Sequence, residues 1–109
     1  MDETVLRELE IIKESVLAII PDTEAIYLFG SYANGTPHKD SDLDIYIVVP
    51  DTIEQPQAKT VDIRMRMADS SRLPLDMIAN NVSTFKRRSS GLTFESVVAR
   101  KGRVIYRAA

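Results

Sequence analysis

Two aspartates separated by a single residue are the part of this sequence best suited to chemistry. Asp42 and Asp44 stand where the β-branched, apolar run Leu43–Val49 begins, and that run predicts a strand. Side chains two apart on a strand point to the same face, so the two carboxylates lie side by side. Such a pair repels itself unless a cation sits between its members. Mg²⁺ is the natural occupant, because it prefers oxygen ligands and often bridges carboxylates to phosphates.

A Gly-Ser pair directly follows a second apolar run, Ala25–Phe29, which predicts a buried strand. Gly30 lets the backbone approach a ligand closely, and the following amides and the Ser31 hydroxyl can donate to phosphate oxygens. A glycine-serine turn after a strand is also common in proteins without a ligand there. Ser41, just before the aspartate pair, is suited equally to donating to a phosphate and to capping a turn.

Two better-known motifs of similar composition do not fit. Gly30 and Gly35 have the spacing of a P-loop, but Thr36 stands where that motif needs lysine. An EF-hand loop starting at Asp40 would need glycine where the chain has Ile45. The combination that remains is Gly-Ser, ten residues, and Asp-x-Asp, with each part at a strand end.

This combination resembles the signature of the nucleotidyltransferases of the DNA polymerase β superfamily. The similarity is greatest to their smallest members, the minimal nucleotidyltransferases (MNT proteins), which are often paired with HEPN-domain toxins. It covers nearly the whole chain: an amphipathic helix before the motif, a later strand with one carboxylate, and a short strand after Gly102. The resemblance implies a polymerase β-like α+β fold, a small mixed sheet flanked by helices, in a single domain over residues 1–109.

The family requires a third carboxylate on a neighbouring strand, and Asp76 is the only acidic residue in the predicted third strand. A solvent-facing aspartate on an edge strand is the alternative explanation of Asp76. The resemblance implies a catalytic, metal-binding set that holds two Mg²⁺ ions, namely Asp42, Asp44 and Asp76. It likewise implies a nucleotide-binding set for ATP, namely Gly30, Ser31 and Ser41.

The implied activity is transfer of a nucleoside monophosphate, AMP from ATP, to a hydroxyl of a partner protein. The partner would be a HEPN-family toxin and this chain its antitoxin. Two alternatives stay open: a catalytically weak module that neutralises its partner by occlusion, and the catalytic subunit of a small-molecule (aminoglycoside-like) nucleotidyltransferase. Asn34 stands where many relatives carry a basic residue, which favours the binding module. The complete set of three carboxylates favours transfer.

Composition excludes several other classes of protein. The 109 residues contain no cysteine, which excludes a disulfide scaffold, a thiolate metal site and a cysteine nucleophile. The acidic start of the chain and the lack of an apolar run near the ~20 residues of a membrane span predict a cytoplasmic protein.

Charge is distributed unevenly along the chain. Residues 1–54 carry three basic and twelve acidic side chains, and residues 55–109 carry eleven basic and four acidic ones. This asymmetry suggests a site where a cation and an anion meet, although two helices of different surface charge would explain it as well. The basic half lacks interleaved aromatic residues apart from Phe85, so direct nucleic-acid binding is not supported.

Hydrophobic periodicity predicts the elements that position these residues. We expect helices at 3–20, 57–70, 83–90 and 92–101, and strands at 25–29, 43–49, 73–79 and 104–106. The first helix has an apolar stripe from Val5 to Ile19 that Leu6 widens, with Glu8 off the stripe. The apolar side of the helix at 57–70 is expected to consist of Val61, Met65 and Ala68, with Met67 near them.

Overall fold

A mixed four-stranded sheet forms the centre of the computed structural model, which describes residues 2–109. The elements follow in the order α1 (Glu3–Ile19), β1 (Ala25–Phe29), α2 (Gly30–Asn34), β2 (Leu43–Val49), α3 (Pro56–Met67), β3 (Leu75–Asn81), α4 (Val82–Ser89), α5 (Phe94–Lys101) and β4 (Arg103–Arg107). The predicted α+β architecture is confirmed. Among the described residues, no helix is long and apolar enough to cross a membrane.

The order and directions of the strands bring the candidate site residues to one end of the sheet. The strands lie in the order β3-β2-β1-β4; β1 is antiparallel to β2 and β4, and β2 is parallel to β3. The parallel pair needs a crossover, which α3 provides. Because of these strand directions, the last residues of β1 and the first residues of β2 and β3 lie at the same end of the sheet.

The two faces of the sheet are covered by different helices. On β2, alternate residues from Leu43 to Val49 pack into a core with α1 and α3. The residues between them, Tyr46 and Val48, pack against Phe85 of α4 and Val98 of α5. Because side chains alternate along a strand, the candidate aspartates of β2 and β3 belong to the α4–α5 side.

The buried residues of helix α1 differ from the predicted ones at Leu6 and at Glu8. Asp2 caps the helix by accepting a hydrogen bond from the Val5 amide at 2.9 Å. Leu6, expected on the stripe, is 52% exposed, whereas Glu8, expected off it, is only 2% exposed. Glu8 is buried because its carboxylate has backbone partners beyond the helix, which periodicity cannot show.

The predicted buried face of α3 is wrong. Val61 and Met65 are well exposed, and the residues that face the core are Thr60, Ile63 and Met67. Both sets have helical spacing, so the choice depends on what the helix packs against, here α1 and β3. The polar member of the buried set is satisfied locally, because the Thr60 hydroxyl donates to the carbonyl of Gln57 at 2.7 Å.

Strand β3 begins two residues later than predicted, at Leu75 instead of residue 73. Pro74 has no N–H to donate to a ladder, but its carbonyl accepts the Leu43 amide at 2.9 Å and aligns the two strands. The outer edge of β3 is covered by Gln57, which donates to the Met77 carbonyl and accepts from the Ala79 amide.

Candidate functional site

Two strand pairings bring the predicted catalytic residues together. In the antiparallel pair Phe29 lies opposite Asp44, and in the parallel pair Asp44 lies opposite Asp76. Asp42 is one position before β2 and is exposed, as is Asp76, while Asp44 between them is partly buried. The structure therefore places Asp44 and Asp76 side by side at the end of the sheet where β1 finishes, with Asp42 two residues before Asp44.

The electrostatics of Asp44 agree with this placement. Burial raises the pKa of its carboxyl above the usual value, and the negative charges of Asp76 and then Asp42 raise it further. Both neighbouring aspartates thus act on Asp44 through space. An isolated aspartate on a strand would show neither effect, so the three groups form one electrostatic unit.

Gly30 is in direct contact with this unit. Its φ of +74° lies in the left-handed region that favours glycine. A Cβ atom built on it would stand 2.1 Å from Oδ2 of Asp44. Any side chain here would therefore push the central carboxylate out of place, so Gly30 allows the backbone of the loop to lie against Asp44.

Ser31 and Ser41 flank the carboxylates in different ways. Ser31 is a partly exposed residue in the first turn of α2, where helical amides have no partner within the helix. Ser41 is buried, and its Oγ accepts the His38 amide at 2.9 Å, so it does cap the turn. Its hydroxyl hydrogen can still donate elsewhere. Asn34, the position without the basic residue, is exposed at the end of α2.

The donor set of the site suits a hard divalent cation. All three candidate ligands are carboxylates, and Oδ2 of Asp44 lies in the space that a Cβ atom at Gly30 would need. Within residues 2–109, no three His, Cys, Asp or Glu side chains are already arranged as a metal site. Like charges repel at short range, so these three carboxylates need a cation to draw them together. Metal binding by Asp42, Asp44 and Asp76 stays a prediction.

A buried polar network holds α4 and α5 on the same face of the sheet. The Tyr46 hydroxyl donates to Oε2 of Glu95 at 3.0 Å and accepts from the Asn80 amide at 3.1 Å. Arg88 Nε donates to Oε1 of Glu95 at 2.8 Å. Burial raises the pKa of Tyr46 to about 12, so it remains a neutral donor. The network ties β2, β3, α4 and α5 together on the same face as Asp44, two residues further along β2.

An aromatic side chain of α5 also borders the site. The Phe94 ring packs edge-on against Phe29 with ring centres 4.9 Å apart, and Phe29 is the residue opposite Asp44. Neither Phe94 nor Glu95 was singled out from the sequence. One signal was present: Glu95 is the only acidic residue in the chain after Asp76, and a lone acid in a basic segment favours an ion pair.

Comparison with known protein families identifies the fold and the motif together. Residues 10–109 match the family described as polymerase beta, nucleotidyltransferase. The chain belongs to this family. Among curated proteins, protein adenylyltransferase MntA of Shewanella oneidensis is 51% identical over 35 residues, which are 32% of this chain and 25% of that protein. The match therefore spans a quarter of the length of that relative.

Solved structures support the same fold over a longer part of the chain. A toxin–antitoxin complex with AMP-PNP is similar with a TM-score of 0.61 and 21% identity, covering 92% of this chain and 73% of that one. A complex of the tri-AMPylated Shewanella oneidensis HEPN toxin with its MNT antitoxin has a TM-score of 0.53 and 20% identity, covering 96% and 73%. The predicted family, that of the polymerase β nucleotidyltransferases, is thereby confirmed, and the solved structures of toxin–antitoxin complexes share its fold.

Proposed function

We propose that this chain is a nucleotidyltransferase that transfers AMP from ATP to a hydroxyl of a partner protein of the HEPN family. The observation that carries the proposal is that Asp44 lies opposite Asp76 on the parallel strands. Asp44 also lies against Gly30, at a position where any side chain would collide with its carboxylate. In this arrangement Asp42 and Asp76 are exposed to solvent on either side of the partly buried Asp44.

Each residue of the site has a role that follows from its position. Gly30 and Ser31 would place backbone amides and a hydroxyl against the triphosphate, because the first turn of a helix has unpaired donors. Asp42 and Asp44 would hold Mg²⁺ at the phosphates, and Asp76 would share in holding the second ion. When bound, Mg²⁺ supplies positive charge that offsets the charge of the triphosphate and of the departing pyrophosphate.

The reaction forms one bond and breaks another at the α-phosphorus. The acceptor oxygen attacks the α-phosphorus, the bond from that phosphorus to the bridging oxygen breaks, and pyrophosphate leaves with the bridging oxygen. Asp76 is exposed at the beginning of the edge strand, where an incoming hydroxyl can reach it and pass on its proton. Most of the acceleration would come from positioning and charge neutralisation.

Support for a protein acceptor comes from the comparisons. The curated relative is named as a protein adenylyltransferase, and one similar structure contains an AMPylated HEPN toxin. The match to that relative covers 35 residues, so a protein acceptor is proposed for this chain by similarity. A further similar structure contains AMP-PNP, which supports ATP as the donor.

Intact-mass spectrometry of the product of the gene next to the one for this chain, which the proposal expects to be a HEPN protein, tests the proposal. The partner is incubated with this protein, ATP and Mg²⁺, and its mass is expected to rise in whole AMP units. The double variant Asp42→Asn/Asp44→Asn is expected to abolish the gain. Asp40→Asn is the matched control, because it removes one charge from the same loop outside the carboxylate unit, and it should leave the gain unchanged.

The outcomes separate the proposal from its main alternative. A partner that gains no mass but forms a stable complex, and is inactivated equally by wild type and double variant, would contradict transfer and favour neutralisation by occlusion. The exposed Asn34, without the basic side chain of many relatives, is the feature that favours that alternative. A partner that neither gains mass nor binds would contradict the HEPN acceptor itself.

A further inference from the structure

Glu8 is a charged side chain buried inside α1's interface with the rest of the molecule. It is 2% exposed, and its Oε1 accepts two backbone amides, those of Arg72 and of Leu73, the latter at 2.7 Å. Its second oxygen, Oε2, is buried and has no hydrogen-bond partner within residues 2–109. Burying a carboxylate with one unpaired oxygen is costly, and an apolar residue would fill the position more easily.

The backbone that Glu8 holds leads directly into the strand of the third carboxylate. Leu73 precedes Pro74, whose carbonyl accepts the amide of Leu43, the first residue of β2. The strand pairing then continues with Leu43 opposite Leu75 and, one position further, with Asp44 opposite Asp76. A short chain of hydrogen bonds thus connects Glu8 to the register of the two facing aspartates.

This end of β3 needs such a restraint for two reasons. Strand β3 lies at the edge of the sheet, so only β2 pairs with it along its length. At this end the facing Asp44 and Asp76 carry like charges, which push the two strands apart. Gln57 secures β3 beyond Asp76 through the backbone of Met77 and Ala79. Glu8 secures it before Asp76.

We propose that Glu8 is a positioning residue that fixes the beginning of β3 and thereby the place of Asp76 beside Asp44. Glu8 does not touch the reacting atoms; it acts through the amides of Arg72 and Leu73. The importance of Asp76 for transfer rests on the proposed function, whereas the backbone restraint does not depend on it. Residues that orient metal ligands from behind typically change metal affinity or activity by about 10- to 100-fold.

The restraint is tested by amide hydrogen exchange measured by NMR. In Glu8→Ala, exchange at Arg72, Leu73 and Asp76 is expected to speed up about tenfold or more relative to the amides of β1, which report opening of the core. Glu8→Gln keeps an oxygen that can accept both amides, so it should restore most of the protection. This second variant keeps the test valid if alanine disturbs folding.

Glu10→Ala is the matched control, because Glu10 is an exposed carboxylate of the same helix that pairs at the surface with Lys13. It should leave exchange before β3 unchanged. Protection in Glu8→Ala equal to that in wild type would overturn the proposal, whatever the activity of either protein.

Function is measured on the same variants, with Mn²⁺ as the probe of metal binding. Glu8→Ala is expected to weaken Mn²⁺ binding and lower kcat about tenfold or more while KM for ATP changes little, because Gly30 and Ser31 are not moved. Glu8→Gln should recover kcat. A wild type that binds no Mn²⁺ and transfers no AMP would refute the proposed function alone. A functional wild type with an equally functional Glu8→Ala would refute the positioning role.

Discussion

Substituting Gly30 with alanine tests the contact between the loop backbone and the central carboxylate. The new Cβ would lie 2.1 Å from Oδ2 of Asp44, whereas ordinary contact begins at 3.4 Å. The carboxylate must therefore retreat by roughly 1 Å or change rotamer, and a displacement of that size can cost about 100-fold in rate. In addition, a φ of +74° costs an alanine about 1–2 kcal/mol in folding free energy.

Gly35 supplies a matched control for the backbone part of this effect. Its φ of +76° is nearly the same, but a Cβ there would meet no atom of residues 2–109 within 4 Å. Gly35→Ala should therefore lose a similar 1–2 kcal/mol, about 4–8 °C in Tm for each kcal/mol, without moving Asp44. The two variants share their backbone strain and differ in their effect on the carboxylate.

Transfer of AMP and thermal unfolding are measured side by side on both variants. Both should melt earlier than wild type, and only Gly30→Ala should lose about 100-fold in kcat. Equal activities of the two variants, whether both are retained or both are lost, would refute the reasoning, because the contact with Asp44 would then have no consequence of its own.

Three further predictions concern stability. Tyr46→Phe removes a buried hydroxyl that is hydrogen-bonded to Glu95 and Asn80. It should lower the free energy of unfolding, measured in urea, by about 1–3 kcal/mol. A decrease no larger than that caused by the control Tyr106→Phe would contradict this. Burial raises the pKa of Glu95, but the hydrogen bonds from Arg88, its own backbone amide and Tyr46, with the charge of Arg88, together outweigh burial and hold that pKa below its usual value. The carboxylate therefore stabilises the fold above that usual value, and this contribution is lost as pH falls. The stability difference between wild type and Glu95→Gln should therefore shrink in acid, and a constant difference would contradict the pairing. Asp44→Asn removes a partly buried negative charge that Asp76 and Asp42 repel. It should therefore raise Tm in metal-free buffer and abolish transfer of AMP. A Tm below that of wild type would contradict the repulsion.

Two of the three strands of the site, β1 and β2, were predictable with their bounds because local signals agree there. The run Ala25–Phe29 and the run Leu43–Val49 were predicted with the bounds that the structure has, since each is apolar and bordered by polar or turn-forming residues. The spacing between Gly30 and Asp42 was sufficient to indicate the family, which the family comparison confirms.

Features that depend on packing partners could not be predicted. Helix α3 has two apolar stripes of equal spacing, and only contact with α1 and β3 selects Ile63 and Met67 over Val61 and Met65. Glu8 is similar, since nothing near it in the sequence indicates that its partners lie about 65 residues away in the backbone before β3. Such long-range hydrogen bonds leave no periodic pattern.

Labelled ATP tests the central claim most directly. The partner protein is incubated with this chain, Mg²⁺ and ATP carrying the label at either the α- or the γ-phosphorus. Nucleotidyl transfer predicts that the partner acquires label only from α-labelled ATP, that pyrophosphate carries the γ-label, and that Asp42→Asn/Asp44→Asn transfers neither. Label acquired from the γ-phosphorus would show phosphoryl transfer, and an unlabelled partner would show that the carboxylate unit does not transfer AMP to it; either result would contradict the account.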